Sequence, residues 1–378
     1  MTSSARGNAS RTRTRRKRRR EEPLPAEKPK GAVASIVVVG VGGAGCNAVQ
    51  RMLEYRPVPD VRYVCVNTDL KSLARMSGAE VIQIGEGLTH GLGAGGVPDV
   101  GSRAAENGKD ALATAIGKSD LVFLAAGMGG GTGTGAAPVV AEIARQSGAL
   151  VVAVVTTPFS FEGIRRLETA HSGIARLREK VDNLIVIHND RLLSMFHEDA
   201  PIEEALKRAD EALTLGVLSV AEVVNEPGEI NVDFADLRSI IKLPGYALMA
   251  TGEASGKGAA AKAAQQAVNN PLFDLSIEGA KGLLFNVHGG PGLTLGEVNA
   301  VGSFIASRLD PDAMIFFGML LGPEWEDRVH ITLIATGIPV EKARKPLGFP
   351  GSMHTETIAK GMVPVLQPTN GHLPVRRL

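Results

Sequence analysis

The 378-residue chain is short of cysteine, of aromatic residues and of unbroken apolar sequence. Its two cysteines, Cys46 and Cys65, both fall inside apolar segments. That excludes a disulfide framework, fits a reducing compartment and makes both thiols core filler. No apolar run approaches the ~18–20 residues that cross a bilayer. The longest runs from Ala149 to Val155, so no transmembrane segment is expected. Net charge is also nearly absent, since 41 Lys and Arg against 40 Asp and Glu leave +1. The spread is uneven, however: eight of residues 11–20 are Arg or Lys. Residues 1–31 contain no aromatic side chain, so this basic arm has no platform for base stacking. Charge alone makes nucleic acid or anionic lipid its expected partner, and a merely solvated arm reads the same way. It runs into Glu21-Glu22-Pro23 rather than an apolar stretch, which is unlike a signal peptide. Internal repeats are missing too. Apolar residues, at 44%, suffice for a soluble protein of two domains, each with its own core.

The chain is organised around Gly127-Met-Gly-Gly-Gly-Thr-Gly-Thr-Gly135, which has six glycines in nine positions. The apolar run Leu121 to Ala126 precedes it, and a segment of helical spacing follows from Ala136. This order reads as strand, glycine loop and helix start. Glycines let the backbone turn its N–H groups inward, and the helix adds unpaired N–H groups and the positive end of its dipole. Thr132 and Thr134 place hydroxyls among them, so the stretch is built as a phosphate cradle. It holds no cation and no Lys-Ser/Thr follows, so it is not a Walker A loop. Phosphate charge must then be met by backbone dipoles, a metal ion and residues from elsewhere.

A second glycine string, Gly40-Val-Gly-Gly-Ala-Gly45, follows the apolar strand from Ser35 and precedes a helix expected from Asn47 to Tyr55. Alone, this GxGxxG also suits a Rossmann dinucleotide site, with Asp69 after the next strand as the ribose-binding acid. Two glycine loops favour a nucleotide triphosphate held between them. Glu162 and Arg166 lie four apart at a helix start and share a face, as a surface ion pair would. Asn231, Asp233 and Asp236 form N-x-D-x-x-D at a loop-to-helix start. That spacing suits a cation or an oriented attacking water. Simple capping of the helix by Asp233 is the competing explanation.

The loop at 127–135 resembles the signature loop of the tubulin/FtsZ superfamily. Gly40–Gly45 with Asn47-Ala-Val and Arg51-Met52 resembles the first loop of the FtsZ family. Gly91 to Gly101 resembles the family loop that senses the terminal phosphate, with Gly96 and Val97 in place of the usual Ala and Asn. His188-Asn189-Asp190 resembles the family's PND, with His188 for Pro. "NNPLFDLSIEGAKGLLFNVHGG", "LTLGEVNAV" and "ITLIATG" resemble its C-terminal domain. The likeness runs from about residue 33 to 337.

The resemblance implies GTP and GDP as ligands, with Mg2+, held by Gly42, Gly43, Ala44, Gly45, Asn47, Ala94, Gly95, Gly129, Gly130, Gly131, Thr132, Gly133 and Thr134. It implies Glu162 and Arg166 on the ribose and nucleotide edge, and the Asn189 amide on the base. Asp210 would accept hydrogen bonds from guanine N1–H and the 2-amino group, a donor pair that adenine lacks. Leu206 stands where the family often has a Phe that stacks on the base. Asn231, Asp233 and Asp236 would be catalytic, acting on nucleotide held by the next subunit. The implied fold is α/β: a Rossmann-like GTP-binding domain with a parallel sheet, a long central helix, and a smaller α/β domain.

The expected divisions are a basic arm (1–31), a GTP-binding domain (32–201), a connecting helix (202–225), a second domain (226–337) and a flexible tail (338–378). At ~1.5 Å per residue the connecting helix would span about 35 Å. In the second domain strands are expected at Tyr246–Gly252, Gly282–Val287, Ala313–Met319 and Val329–Ala335, and helices at Ala259–Val268 and Leu295–Leu309. The implied function is a cytoplasmic, self-assembling GTPase that stacks head to tail into filaments at the division site. Leu373-Pro-Val-Arg-Arg-Leu378 would be a divergent peptide for a membrane-tethering division protein, or simply part of a disordered tail. Two rival functions remain open: a Rossmann oxidoreductase using NAD, and a filament scaffold that hydrolyses poorly.

Overall fold

The computed structural model describes residues 34–55, 57–193, 201, 204, 207, 210, 211, 214, 217, 218, 229, 230, 232–270 and 275–339. The basic arm, the tail beyond Pro339, Leu206 and Asn231 lie outside them.

Six strands form the first sheet: β1 (Ile36–Val41), β2 (Val61–Asn67), β3 (Glu80–Gln83), β4 (Leu121–Gly127), β5 (Leu150–Thr157) and β6 (Asn183–His188). Their order is β3-β2-β1-β4-β5-β6, all parallel. β1 and β5 are buried along their whole length, as strands covered on both faces must be, and their near-continuous Val and Ile runs follow from that. Val37, Val39 and Val41 face one core with Ala136 and Val140. Ile36 and Val38 face the other with Cys46, Val49 and Met52. The Cys46 thiol is buried and donates to Gly40 O and Val66 O. A hydrogen bond with Cys65 and burial push its pKa upward, so it stays a neutral, packed thiol.

Between β1 and β4 the strand order reverses direction, which opens a crevice at the carboxyl ends of these two strands. Both glycine strings leave the sheet there: α1 (Gly42–Tyr55) follows β1, and α6 (Thr132–Gln146) follows β4. Both helices start earlier than the sequence pattern suggests, at Gly42 rather than Asn47 and at Thr132 rather than Ala136. Close packing explains the difference. A methyl group on Gly133 would lie 2.4 Å from Gly127 O, and one on Gly135 would lie 1.9 Å from Pro98 O. These glycines are bare helix surface pressed on its neighbours, not loop.

Between the strands lie α2 (Leu70–Leu73), α3 (Glu86–Thr89), α4 (Pro98–Asn107), α5 (Lys109–Ile116), α7 (Ile164–Arg178) and α8 (Asn189–Leu193). Next comes a further helical segment, α9, whose described helical residues are Glu204, Lys207, Asp210, Glu211, Thr214, Val217 and Leu218. Val217 and Leu218 are buried in the core that holds Ile36 and Val38.

The second domain begins with α10 (Phe234–Ile241). Its sheet has the order β7-β10-β8-β9, formed by β7 (Tyr246–Ser255), β8 (Gly282–Gly289), β9 (Met314–Leu321) and β10 (Arg328–Ile338). β10 runs antiparallel to β7 and β8, while β8 and β9 are parallel. The four strands fall where expected and run a few residues longer at most ends. Helices α11 (Ala259–Val268) and α12 (Leu295–Ala306) cover the sheet, and α12 stops three residues before the expected Leu309. One apolar cluster runs from Ile185 and Ile187 of the first sheet through Leu237 and Ile240 of α10 to Leu283 and Leu333 of the second.

Candidate functional site

Three loops converge on the start of α6. A methyl group on Gly42 would lie 2.8 Å from Gly133 N, so the β1–α1 turn rests on α6. Gly42 has φ +74°, a left-handed backbone that favours glycine. On the other side, a methyl on Gly131 would lie 2.8 Å from the Ala94 side chain and 2.9 Å from Val97 N. A methyl on Gly129 would lie 2.8 Å from Arg166 O, where α7 begins. Gly45 is pinned to β4, 2.2 Å from Ala125 O by the same measure, and Ala44 abuts Gly127.

Four other glycines behave differently. A methyl group on Gly43, Gly95, Gly96 or Gly130 would meet nothing within 4 Å. Gly43 and Gly130 also lack the left-handed φ that would call for glycine. Folding alone would accept alanine at both.

The crevice is electrostatically one-sided. α1 and α6 both begin in it, neither has an acidic residue in its first turn, and Gly131 at the head of α6 offers no side-chain cap. Two positive helix ends and their unpaired N–H groups therefore face the same place, an arrangement that favours an anion. Thr132 pairs with the hydroxyl of Thr68 at 2.7 Å. Thr134 is fully buried and accepts from Gly129 N–H at 2.9 Å, so its hydroxyl shapes the loop from within. Asn47 is exposed on α1.

The rim is built by the segments that leave β5 and β6. Glu162 sits in a 3₁₀ turn (Ser160–Glu162) and Arg166 in α7, rather than on one helix. They still meet, at 2.5 Å, while the other Glu162 oxygen accepts from Phe159 N–H at 2.9 Å. Asn189 opens α8 and is buried, and its side-chain carbonyl oxygen has no hydrogen-bond partner among the described residues. A buried acceptor left unmatched is costly unless a ligand supplies a donor. His188 ends its strand against the Thr157 hydroxyl at 3.3 Å, a structural place. Asp190, to which the sequence pattern gives no task, accepts from the Ser160 N–H at 2.8 Å and from the Ser160 hydroxyl. It thereby fixes the turn that carries Glu162. Asp190→Ala is expected to weaken nucleotide binding about tenfold, the loss of one or two charge-assisted hydrogen bonds, with little change in Tm. Calorimetric titration beside a thermal melt checks it.

Asp210 lies on α9, which packs beside α1. Its Oδ2 accepts from Arg51 Nε of α1 at 3.1 Å. Burial holds its carboxyl above the usual carboxylate range, against the downward pull of Arg51. One turn on, the Thr214 hydroxyl contacts Ala48 O at 3.3 Å. Asp69 is committed elsewhere. It caps α2 by accepting from Lys71 N–H at 2.9 Å, so one of its carboxylate oxygens is used within the fold.

The acidic loop is not gathered into the crevice. Asp233 occupies the N-cap position of α10 but accepts no capping hydrogen bond, and Asp236 lies in the first turn. Capping therefore does not explain Asp233. The far end of α10 contacts the start of β6, where Asn183 Nδ2 donates to Ile241 O at 3.3 Å. That is the edge of the parallel sheet opposite the glycine loops. Ile230 pairs with Met319 of β9, tying the loop to the second sheet.

The comparisons with known proteins come down on one family. Residues 35–197 match the family described as "Tubulin/FtsZ family, GTPase domain", and residues 245–339 match "FtsZ family, C-terminal domain". Among solved structures, an empty FtsZ dimer from M. jannaschii is 40% identical, with a TM-score of 0.77 over 85% of this chain and 95% of that one. A tryptophan-to-tyrosine mutant of FtsZ from the same organism is 43% identical, with a TM-score of 0.76 over 81% and 91%. The GDP-bound CetZ1 monomer from Haloferax volcanii shares the fold at 22% identity, with a TM-score of 0.70 over 81% and 94%.

Proposed function

Since the chain belongs to the FtsZ family, whose activity is GTP hydrolysis by a self-assembling division filament, we propose that its crevice holds GTP and that catalysis is completed by a second copy. The observation that carries this reading is the set of open glycines among glycines packed solid. Gly43 and Gly130 have no folding reason to lack a side chain, and they stand where two uncapped helix ends converge. A phosphate chain uses both features.

In this reading the phosphates lie on the backbone N–H groups of Gly42 to Gly45, Ala94, Gly95 and Gly129 to Thr134. Glu162 and Arg166 hold the ribose edge. The Asp210 carboxylate accepts from guanine N1–H and the 2-amino group, and the orphaned Asn189 oxygen takes a further donor from the ligand. Mg2+ would travel with the nucleotide and neutralise phosphate charge. No group of three His, Cys, Asp or Glu side chains is placed to hold a metal among the described residues, so phosphate and water oxygens would be its ligands.

Asp233 and Asp236 of the next subunit, with Asn231, would orient a water for attack on the γ-phosphorus. The bond to the β–γ bridging oxygen breaks, GDP leaves, and the water's proton passes to a carboxylate. Large exposed apolar side chains border the crevice, notably Leu92, Val97, Phe161 and Ile164, and Leu295 is exposed on the second domain. Contact between subunits would cover them. A heterologous contact of this kind propagates as a filament.

We place the protein in the cytoplasm at the division site, with the tail as tether peptide and the basic arm on phosphate-rich polyanions. No helix among the described residues is long and apolar enough to cross a membrane. The first test is GTP turnover per subunit against protein concentration. Turnover is expected to be near zero below a threshold and to rise steeply above it, together with light scattering. A flat profile would mean that each subunit hydrolyses alone.

A further inference from the structure

We infer that Arg51 is a positioning residue for base selection, keeping the Asp210 carboxylate ionised and aimed so that it discriminates guanine from adenine. The inference rests on the reading of Asp210 as the guanine contact and extends it to a residue on a different helix.

The geometry is specific. Arg51 Nε lies 3.1 Å from Asp210 Oδ2. This single contact leaves Oδ1 and the second lone pair of Oδ2 free, which is the acceptor set that two guanine donors require. The pair is also asymmetric in exposure, with the Asp210 side chain 14% exposed and that of Arg51 33%. The carboxylate is therefore the desolvated partner, and the guanidinium keeps part of its hydration. Among the described residues Arg51 is the cation paired with Asp210. Glu211, beside it on α9, adds a like charge, Lys207 one turn earlier is exposed, and α1 contributes Arg51 as its cation, with the acidic Glu54 further along bound to Gln50.

A desolvated carboxylate without a counter-charge takes up a proton. A protonated Asp210 would present an O–H toward the N1–H and 2-amino donors, turning an attractive pairing into a donor–donor clash. Burial already raises the Asp210 pKa with Arg51 in place, and removing the guanidinium moves it further the same way. The ionised form then disappears as pH falls through that raised value. Thr214, which contacts Ala48 O, holds α9 to α1 independently, so the charge can be removed without releasing the helix.

The test measures Kd for GDP and for ADP between pH 6 and 8.5 by competition with a fluorescent nucleotide. The ADP/GDP ratio cancels titration of the phosphates, which the two ligands share. For the wild type the ratio is expected to be large and nearly flat. For Arg51→Met and Arg51→Gln it should fall steadily as the pH is lowered from 8.5 to 6, approaching one decade per pH unit once the pH is below the raised pKa. Arg51→Lys should restore the flat line, and Asp210→Asn should give a low ratio at every pH. If Arg51 only ties two helices together, its loss weakens both nucleotides alike, and a ratio that follows the wild type at every pH in both variants overturns the inference. A wild-type protein that does not prefer GDP to ADP instead overturns the underlying reading of Asp210.

Discussion

Asp236→Ala is expected to bind GTP as tightly as the wild type and to hydrolyse it about 10²-fold more slowly or worse, the usual range for loss of a positioned acid–base group. The reason is spatial. Asp236 and Asp233 sit at the start of α10, whose far end meets the amino end of β6, and no contact among the described residues ties them to the glycine loops of their own subunit. A mixing experiment makes the point sharper. A variant with a blocked crevice, such as Gly130→Val, should be inactive because it holds no GTP. Combined one to one with Asp236→Ala, it should regain turnover, up to about a quarter of the wild-type rate if contacts form at random. The active contact joins an intact crevice on one molecule to intact acids on the other. Recovery requires a site shared between subunits, and no recovery across a range of ratios would place the chemistry within one chain.

The second large effect separates two kinds of glycine. Gly135→Ala pushes a methyl group to 1.9 Å from Pro98 O, and Gly45→Ala pushes one to 2.2 Å from Ala125 O. Both neighbours are backbone within packed elements and cannot step aside. Each substitution should cost about 3 kcal/mol or more, lower Tm by several degrees, and abolish nucleotide binding as a by-product of a disordered crevice. Gly43→Ala and Gly130→Ala should do the reverse. With open space at both positions, Tm should hold or rise slightly, since alanine restricts the unfolded chain more than glycine does. GTP affinity should nevertheless fall by about 10²-fold, because the methyl group would occupy room the phosphates need. A melt and a binding isotherm on the four variants decide it. Full GTP affinity in Gly43→Ala and Gly130→Ala would remove the main support for a phosphate site here.

The legible part of this molecule was whatever depends on local pattern. The buried runs at Ile36–Val41 and Leu150–Thr157 read as strands because every residue in them is apolar or small, and the second-domain strands are mostly apolar too, with polar residues such as Asn286 and His330 among them. Helix starts were misplaced at Gly42 and Thr132 because glycine usually signals a turn. Here it signals contact with backbone, and nothing in a linear pattern distinguishes the two. Contacts made through space were invisible altogether. Asp190 holds Ser160 across thirty residues, and Arg51 meets Asp210 across 159. Asp69 looked free to bind a ribose until its capping bond to Lys71 was seen. Capping was the competing reading of Asp233, and its side chain accepts no cap bond. Leu206 and Asn231 lie outside the described residues, so their parts in the reading still rest on sequence.

The two uncapped helix ends carry a cost in the empty protein. Unpaired N–H groups and parallel dipoles repel one another's positive ends, and the Asn189 oxygen has no partner among the described residues. A nucleotide that relieves all three, its phosphates accepting from the N–H groups and its base donating to Asn189, binds the native state alone and so adds to its stability by mass action, about 2.7 kcal/mol at a hundredfold excess over Kd. The nucleotide is thus a folding partner as well as a fuel. In a cell rich in guanine nucleotide the vacant form would be a brief passage between release and reloading. Starvation would then erode the pool of intact subunits themselves, beyond stalling their assembly.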